Sequence, residues 1–221
     1  MKQYFTLLML LTASFAFAQK IKIKVEEQNE TIGGGKHNAL VVVIYDSNKD
    51  DVEKEWKSLM KDYNAKVSGK DEIFADNAMI KAMSENTVDV YARVEKVNDK
   101  ECKLIVGFLM GETWLSSSGN RAAYNAAEKI VKDFANKTTK DGMAGITKAE
   151  NKKLKELKDD KSDLGKKNEN LKKDIEDYKA KLAKAEEDLK KNEEDQEKKQ
   201  QEIDDQQKKV DAAKAREGSV E

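Results

Sequence analysis

One stretch of this sequence constrains its folding more than any other. From residue 154 onward, a pattern of apolar residues returns every seven positions without a break in register. With Leu154 as position a, the a positions are Leu154, Lys161, Asn168, Ile175, Leu182, Leu189, Gln196, Ile203 and Val210. The d positions are Leu157, Leu164, Leu171, Tyr178, Ala185, Asn192, Lys199, Gln206 and Ala213. Twelve of these eighteen are apolar, and the register holds for nine heptads. A strict seven-residue repeat keeps a narrow stripe on one side of a helix only if the helix supercoils left-handedly about a partner. The sequence has no proline to kink such a helix, which would run ~100 Å at 1.5 Å per residue. Thr147 and Glu150 have the spacing of a capping box that would start it.

The seam therefore predicts a coiled coil, formed with a protein partner or a second copy through Leu154, Leu157, Leu164, Leu171, Ile175, Leu182, Leu189, Ile203 and Val210. In a parallel in-register dimer each g residue faces the e residue five positions on. Asp174 with Lys179 and Lys181 with Glu186 attract, whereas Lys167 with Lys172, Asp188 with Glu193 and Lys209 with Lys214 repel. That balance does not support the parallel pair. An antiparallel pair, a higher oligomer and a foreign helix stay open. The same composition also suits an isolated helix laced with ion pairs, or partial disorder.

Composition separates this tail from what precedes it. Residues 146–221 carry 43 charges in 76 positions, and residues 19–145 carry 41 in 127. Both Trp and seven other aromatic residues lie in 19–145, and only Tyr178 lies in the tail. A core needs large apolar side chains, so residues 19–145 are predicted to fold as one globular domain and 146–221 to form the coiled coil, with the division near Gly142 and Gly145. Acids and bases nearly cancel over the whole chain, 43 against 42, so no field draws it to nucleic acid. One Cys and one His cannot complete a four-ligand zinc site built of those residues, and one Cys cannot close an intramolecular disulfide.

The first eighteen residues have the form of a targeting segment. Lys2 is the positive n-region, residues 5–15 are an apolar h-region, and Ala16-Phe17-Ala18 is an A-x-A cleavage site before Gln19. The apolar stretch, residues 4–18, is shorter than the ~18–20 residues of a membrane span. The expectation is a cleaved signal peptide and a periplasmic or secreted chain starting at Gln19, with no transmembrane segment after cleavage.

Within 19–145, Ile21, Ile23 and Val25 alternate with Lys22, Lys24 and Glu26 as a half-buried strand. Residues 31–38, with three consecutive glycines, read as a flexible loop. Residues 39–45 are a continuous β-branched run suited to a central strand. Val52, Trp56, Leu59, Met60 and Tyr63 share one face of a helix over residues 50–64, with Asp50 and Glu53 in its first turn. Short strands are expected at 65–68 and 72–80. Val88, Val90, Ala92 and Val94, then Cys102, Leu104, Val106 and Phe108, alternate on either side of Asn98-Asp99-Lys100 as a hairpin. A last helix, about 121–136, places Tyr124, Ala127, Ile130, Val131 and Phe134 on one face. The order β-β-α-β-β-β-β-α predicts the α+β class, a two-layer sandwich of an antiparallel sheet with two helices.

No residue here carries a catalytic, metal or cofactor reading. Lys36-His37 follows three glycines, but a phosphate loop needs G-x-x-x-x-G-K-[ST] leading into a helix, and this run leads into a strand. Cys102 shares a face with Leu104, Val106 and Phe108 and reads as a small buried apolar residue, with no signature for a Cys102–His37 nucleophilic pair. The stretch 116–121 precedes a helix and contains Arg121, so it suits an anion. A helix cap by Ser118 or Asn120 accounts for it as well. Trp114 fits either a ligand-contacting aromatic or the cover of a core edge. Acidic pairs such as Asp50/Asp51 carry no information in so acidic a sequence.

Leaving out the first strand, the element order resembles that of TBP-like domains. The segments Lys36-His-Asn-Ala-Leu-Val-Val, Val52-Glu-Lys-Glu-Trp-Lys, Glu72-Ile-Phe-Ala-Asp and Glu85-Asn-Thr-Val-Asp-Val-Tyr resemble a group of exported Bacteroidota proteins in which such a domain precedes a charged helical tail. The likeness covers residues 19–145, and the tail in character only. It implies a fold and a source, but no activity, because that group has none established. The DNA grip of TBP does not carry over to a neutral, exported domain without an intercalating Phe pair. The expectation is a non-enzymatic envelope protein that associates with itself or a partner through its seam. The alternative is a periplasmic ligand-binding or chaperone-like protein with the tail as spacer or clamp.

Overall fold

The computed structural model describes residues 21–217, so the targeting segment lies outside the described residues. The elements are β1 (Val25–Ile32), β2 (Gly35–Tyr45), α1 (Lys49–Asp62), β3 (Lys66–Ser68), β4 (Ile73–Ala78), β5 (Val88–Lys96), β6 (Glu101–Met110), β7 (Thr113–Trp114) and α2 (Arg121–Glu217). The chain is α+β. Its seven strands form one antiparallel sheet in the order β1-β2-β6-β5-β4-β3, with β7 paired to β6. Contacts divide the chain into two units that part between Ala149 and Glu150.

Alternation along the strands builds the main core. Leu40, Val42 and Ile44 of β2, Val88, Val90, Ala92 and Val94 of β5, and Cys102, Leu104, Val106 and Phe108 of β6 are buried on one face of the sheet. The β5–β6 hairpin runs in the register expected from its two alternating segments, with Val94 opposite Leu104 and Val90 opposite Phe108. In β4 the register slips by one residue between Ala75 and Ala78. Asn77 takes up that extra residue at φ 58°. Its N–H donates to Asp89 Oδ1 at 2.9 Å, and its side chain accepts from Thr87 Oγ1 at 2.9 Å. This bulge returns Ala78 to the buried face.

Two helices share that core. In α1, Val52, Trp56 and Met60 are fully buried and Leu59 is half-buried, as is Tyr63 at its C-cap, as the 3.6-residue spacing predicts. Its cap is Asn48, whose Oδ1 accepts from Asp51 N–H at 2.9 Å, so the helix starts at Lys49, one residue before the expected start at Asp50. In α2, Ala123, Ala127, Val131, Phe134 and Ala135 join the same cluster, and Phe134 meets Trp56 edge to face at 4.9 Å. Asn120 caps α2 by accepting from Ala123 N–H at 3.1 Å.

Three expectations need correction. First, α2 does not stop near residue 136 and restart at Thr147: one helix runs from Arg121 to Glu217. Thr147 is no cap, since its hydroxyl donates to Met143 O one turn back, at 2.9 Å. The helix passes its glycines because polar contacts anchor it beyond residue 136. Thr139 Oγ1 accepts from Tyr45 N–H at 3.1 Å, and Ser47 Oγ donates to Thr138 O at 3.3 Å. Gly142 lies so close to Asp46 O that a Cβ would clash with it.

Second, residues 31–38 are not a flexible loop. Only Gly33 and Gly34 turn the chain, both at positive φ (61° and 79°), and Ile32 pairs with Gly35 across them. Two central residues at φ > 0 make the tight hairpin turn whose twist matches that of its strands. Third, the opening strand is not Ile21–Glu26 but β1, which starts at Val25 and follows the register of that hairpin.

The β1–β2 hairpin also curls over the other face of the sheet. Two strands lie between β1 and β5 in the sheet order, a span of ~14 Å at ~4.8 Å per strand if the sheet were flat. Yet the Arg93 guanidinium of β5 donates to Thr31 O, and both carboxylate oxygens of Glu72 accept from Gly33 N–H, at 3.1 and 3.2 Å. The curl buries Ile32 with Ala39, Val41 and Ile105 in a second small cluster. One core lies against the helices, and a smaller one lies under the sheet's own hairpin.

Candidate interaction surfaces

Three surfaces follow from this architecture. The first is the seam of α2 within residues 150–217. Every side chain in that segment is exposed except that of Val210, which is half-buried. The large apolar residues of the stripe are open by 48% at Leu154 up to 67% at Leu164 and Tyr178. Part of the polar surface, by contrast, is paired within the helix. Asp163 with Lys166, Glu169 with Lys172, Glu176 with Lys179 and Asp205 with Lys208 pair at 2.8 to 3.0 Å. In each the carboxylate precedes the lysine by three residues, the orientation that favours an isolated helix by a few tenths of a kcal/mol, about 0.2–0.5 per pair. The stripe is the part of this surface that water solvates poorly.

The second surface, which the sequence reading did not identify, lies under and beside the curled hairpin. Trp114 stacks on His37 with ring centres 4.1 Å apart and planes 9° from parallel. Tyr91 lies 5.3 Å from Trp114, and Phe74 4.7 Å from Tyr91. Glycines make this stacking possible: a Cβ at Gly33 would clash with the indole, one at Gly107 would come within 2.8 Å of it, and one at Gly35 would lie 2.6 Å from His37 Nε2. Next to the rings, Arg93 bridges Glu30 and Glu95, and Lys103 Nζ reaches Glu95 at 2.8 Å. The hydrogen bond from Lys103, helped by Arg93, holds the Glu95 carboxyl below its ordinary range, with partial burial opposing. Desolvation raises the Tyr91 hydroxyl, and Asp89, Glu72 and Asp76 add to the rise. Each of β2, β4, β5 and β7 supplies one ring, so no local repeat in the sequence marks the cluster.

The third is a groove of about 430 Å³ between α1 and α2. Leu59, Tyr63, Ile130 and Phe134 line it with Glu55, Asp62, Asp133 and Lys137. Burial raises the Tyr63 hydroxyl, and Asp133 and Asp62 raise it further against the opposing pull of Lys129.

The structure separates Cys102 from His37. His37 lies on the hairpin-covered face, and Cys102 lies in the helix-covered core, opposite Ile44. Burial pushes the Cys102 thiol up, with Lys96 and Lys49 opposing weakly, and its S–H meets Ser47 O at 3.3 Å. That thiol is a packed core group. Lys36 and His37 sit within β2, where backbone pairing with β1 leaves no phosphate cradle. Around the start of α2, Ser116 and Ser118 share a hydrogen bond and Arg121 donates to Ser117 O, so these groups turn toward one another. Among the described residues no group of three or more His, Cys, Asp or Glu is placed to hold a metal ion. No described helix is long and apolar enough to cross a membrane. Comparison with family models, with curated proteins and with solved structures gives no match.

Proposed function

We propose that this chain is an exported, non-enzymatic envelope protein that joins a globular domain, residues 19–145, to a coiled-coil segment through which it associates. The observation that carries this reading is the stripe of nine seam residues from Leu154 to Val210, set on one register, with its larger members roughly half to two-thirds exposed. Burying such a stripe stabilises by ~25 cal/mol per Å² of apolar surface removed from water. The helix has no second surface within residues 150–217 to supply that burial. The A-x-A site at residues 16–18 supports export, and the resemblance to exported Bacteroidota proteins with TBP-like domains supports a two-layer head before a helical tail.

The test is sedimentation equilibrium on the chain from Gln19 at tens of micromolar. A defined oligomer is expected, and Leu182→Glu with Leu189→Glu should reduce it to monomer while the melting of the globular domain stays unchanged. A monomeric wild-type chain would overturn self-association.

A second reading rests on the groove between α1 and α2. Its aliphatic and aromatic lining beside three carboxylates and one lysine suits a peptide in which a basic side chain stands next to aliphatic ones. A ligand-binding or chaperone-like role would use that groove, with the tail as spacer or clamp. Asp62→Lys and Asp133→Lys should then abolish binding of a Lys/Leu peptide and leave sedimentation unchanged.

A further inference from the structure

We infer that the partner on the seam is a second copy of this chain, lying antiparallel, with the two-fold axis between Ala183 and Lys184. This inference rests on the self-association reading above and deepens it. In an antiparallel pair, e residues face e residues and g residues face g residues, while each a position packs against a d position of the other helix. With the axis at Ala183/Lys184 the overlap runs the full length of the seam. Across it, Lys179 meets the second copy's Glu186, Lys172 meets Glu193, Lys181 meets Asp188, Lys167 meets Glu202 and Asp160 meets Lys209. Only Asp174 with Asp195 and Lys153 with Arg216 bring like charges together. Five contacts attract and two repel.

Other arrangements fare worse. The parallel in-register dimer has two attractive contacts, Asp174–Lys179 and Lys181–Glu186. Against them stand four repulsive ones, because Lys153 faces Lys158 in addition to the clashes at Lys167, Asp188 and Lys209. Changing the antiparallel alignment by one heptad either way raises the repulsions to five and leaves three attractions or two. An alignment two heptads shorter keeps four attractions against two repulsions, but it leaves the helix beyond Glu202 unpaired and sets Leu154 against Lys199.

The core layers agree with the charges. Seam polar residues face one another in two layers, Lys161 with Gln206 and Asn168 with Lys199, so four of the six polar seam positions avoid an apolar partner. Large residues face small ones where Leu182 meets Ala185 and Leu154 meets Ala213, and Leu189 meets Tyr178 beside the axis. Ile203 meets Leu164 and Val210 meets Leu157, so the outer layers are aliphatic on both helices. Lys172 and Lys179 already hold Glu169 and Glu176 of their own helix, side chains about two-thirds exposed. Exposed pairs of that kind contribute little in water, so sharing these lysines with the second copy costs little.

Disulfide trapping in the chain from Gln19, with Cys102→Ala as background, tests the pairing. Leu157→Cys mixed with Val210→Cys should cross-link to a mixed dimer on mild oxidation, while either variant alone should give none. Alone, each thiol faces its own copy from the far end of the overlap. Leu157→Cys cross-linking to itself would overturn the antiparallel arrangement, and mixed product only with Gln196→Cys would overturn the alignment in favour of the shorter one. A spin label at Lys166→Cys, off the seam, gives a second measure that leaves the core layers intact. Two such labels should stand about 53 Å apart, from 35 residues of helical rise, and a separation near two helix diameters, ~20–25 Å, would overturn the proposal. A chain that is monomeric in sedimentation overturns the self-association reading itself. A dimer with the wrong cross-links overturns only its orientation or alignment.

Discussion

The sheet-bearing unit and the terminal segment of α2 carry nearly equal numbers of acids and bases, yet they treat their apolar residues in opposite ways. In β5, Val88, Val90, Ala92 and Val94 are buried and the intervening residues half-buried, because the sheet brings its own second surface in α1 and the start of α2. In residues 150–217, apolar residues recur just as regularly, but almost nothing is buried. Periodicity of two in a sheet and of seven in a helix both mark an apolar face. They differ in where the cover comes from. The strand pattern is answered within the chain, and the heptad pattern, within residues 150–217, is left uncovered.

The strongest way to break this contrast is to cut one side chain from each region. Trp56 is fully buried against Phe134, so Trp56→Ala should destabilise the globular unit by ~3–5 kcal/mol, the range for large-to-small changes at such sites. Leu164→Ala, in the tail, should move the same denaturant midpoint by less than ~0.5 kcal/mol, because distant sites without shared partners act independently. Equal effects from the two would mean that the tail belongs to the globular core.

A pair of glycines sharpens the comparison within a single helix. Gly142 faces Asp46 O, with no room for a Cβ, while Gly165 has nothing within 4 Å. Glycine in a helix interior is ~1 kcal/mol less favourable than alanine. Gly165→Ala should therefore raise the helical content and its melting temperature, measured by far-UV circular dichroism. Gly142→Ala should instead lower the melting temperature of the globular unit, since backbone must move to admit the methyl. Stabilisation by both would show that the close approach at Asp46 constrains nothing.

These glycines also show what was legible beforehand and what was not. The β5–β6 hairpin, the buried faces of both helices and the heptad register could be read because each is a repeat of one residue class. Glycine supplies no such repeat, and its meaning depends on what lies above it. Gly33 and Gly34 are a two-residue turn, and Gly35 clears space for the His37 ring. The sequence reading merged these separate uses into one loop. At Gly142 and Gly145 it expected a boundary between two helices. The helix instead continues, because Thr138 and Thr139 tie it to residues 45–47, a contact 90 or more residues apart that no local pattern announces. The aromatic cluster on the second face was missed for the same reason: it assembles residues from β2, β4, β5 and β7 only after the hairpin curls.

The smallest expected effect concerns ion pairs, which both regions possess. In the globular unit Glu95 accepts from Arg93 Nε at 2.9 Å and pairs with Lys103 at 2.8 Å, and these partners lower its carboxyl relative to the unfolded chain. A group lowered in the folded state stabilises fully above its unfolded pKa, near 4.3 for Glu, and loses that contribution as pH falls through the folded value. The stability gap between wild type and Glu95→Gln should thus be constant from pH 7 to about 5 and close below ~pH 4. With the side chain 39% exposed, solvent screening keeps the gap within ~0.5 kcal/mol. Glu176→Gln, which removes an exposed pair in the tail, should leave the melting of the globular unit unchanged at every pH. A gap that widens toward low pH would mean that Glu95 is held up rather than down. The Arg93–Glu95–Lys103 network would then owe its place to packing beneath the hairpin rather than to charge.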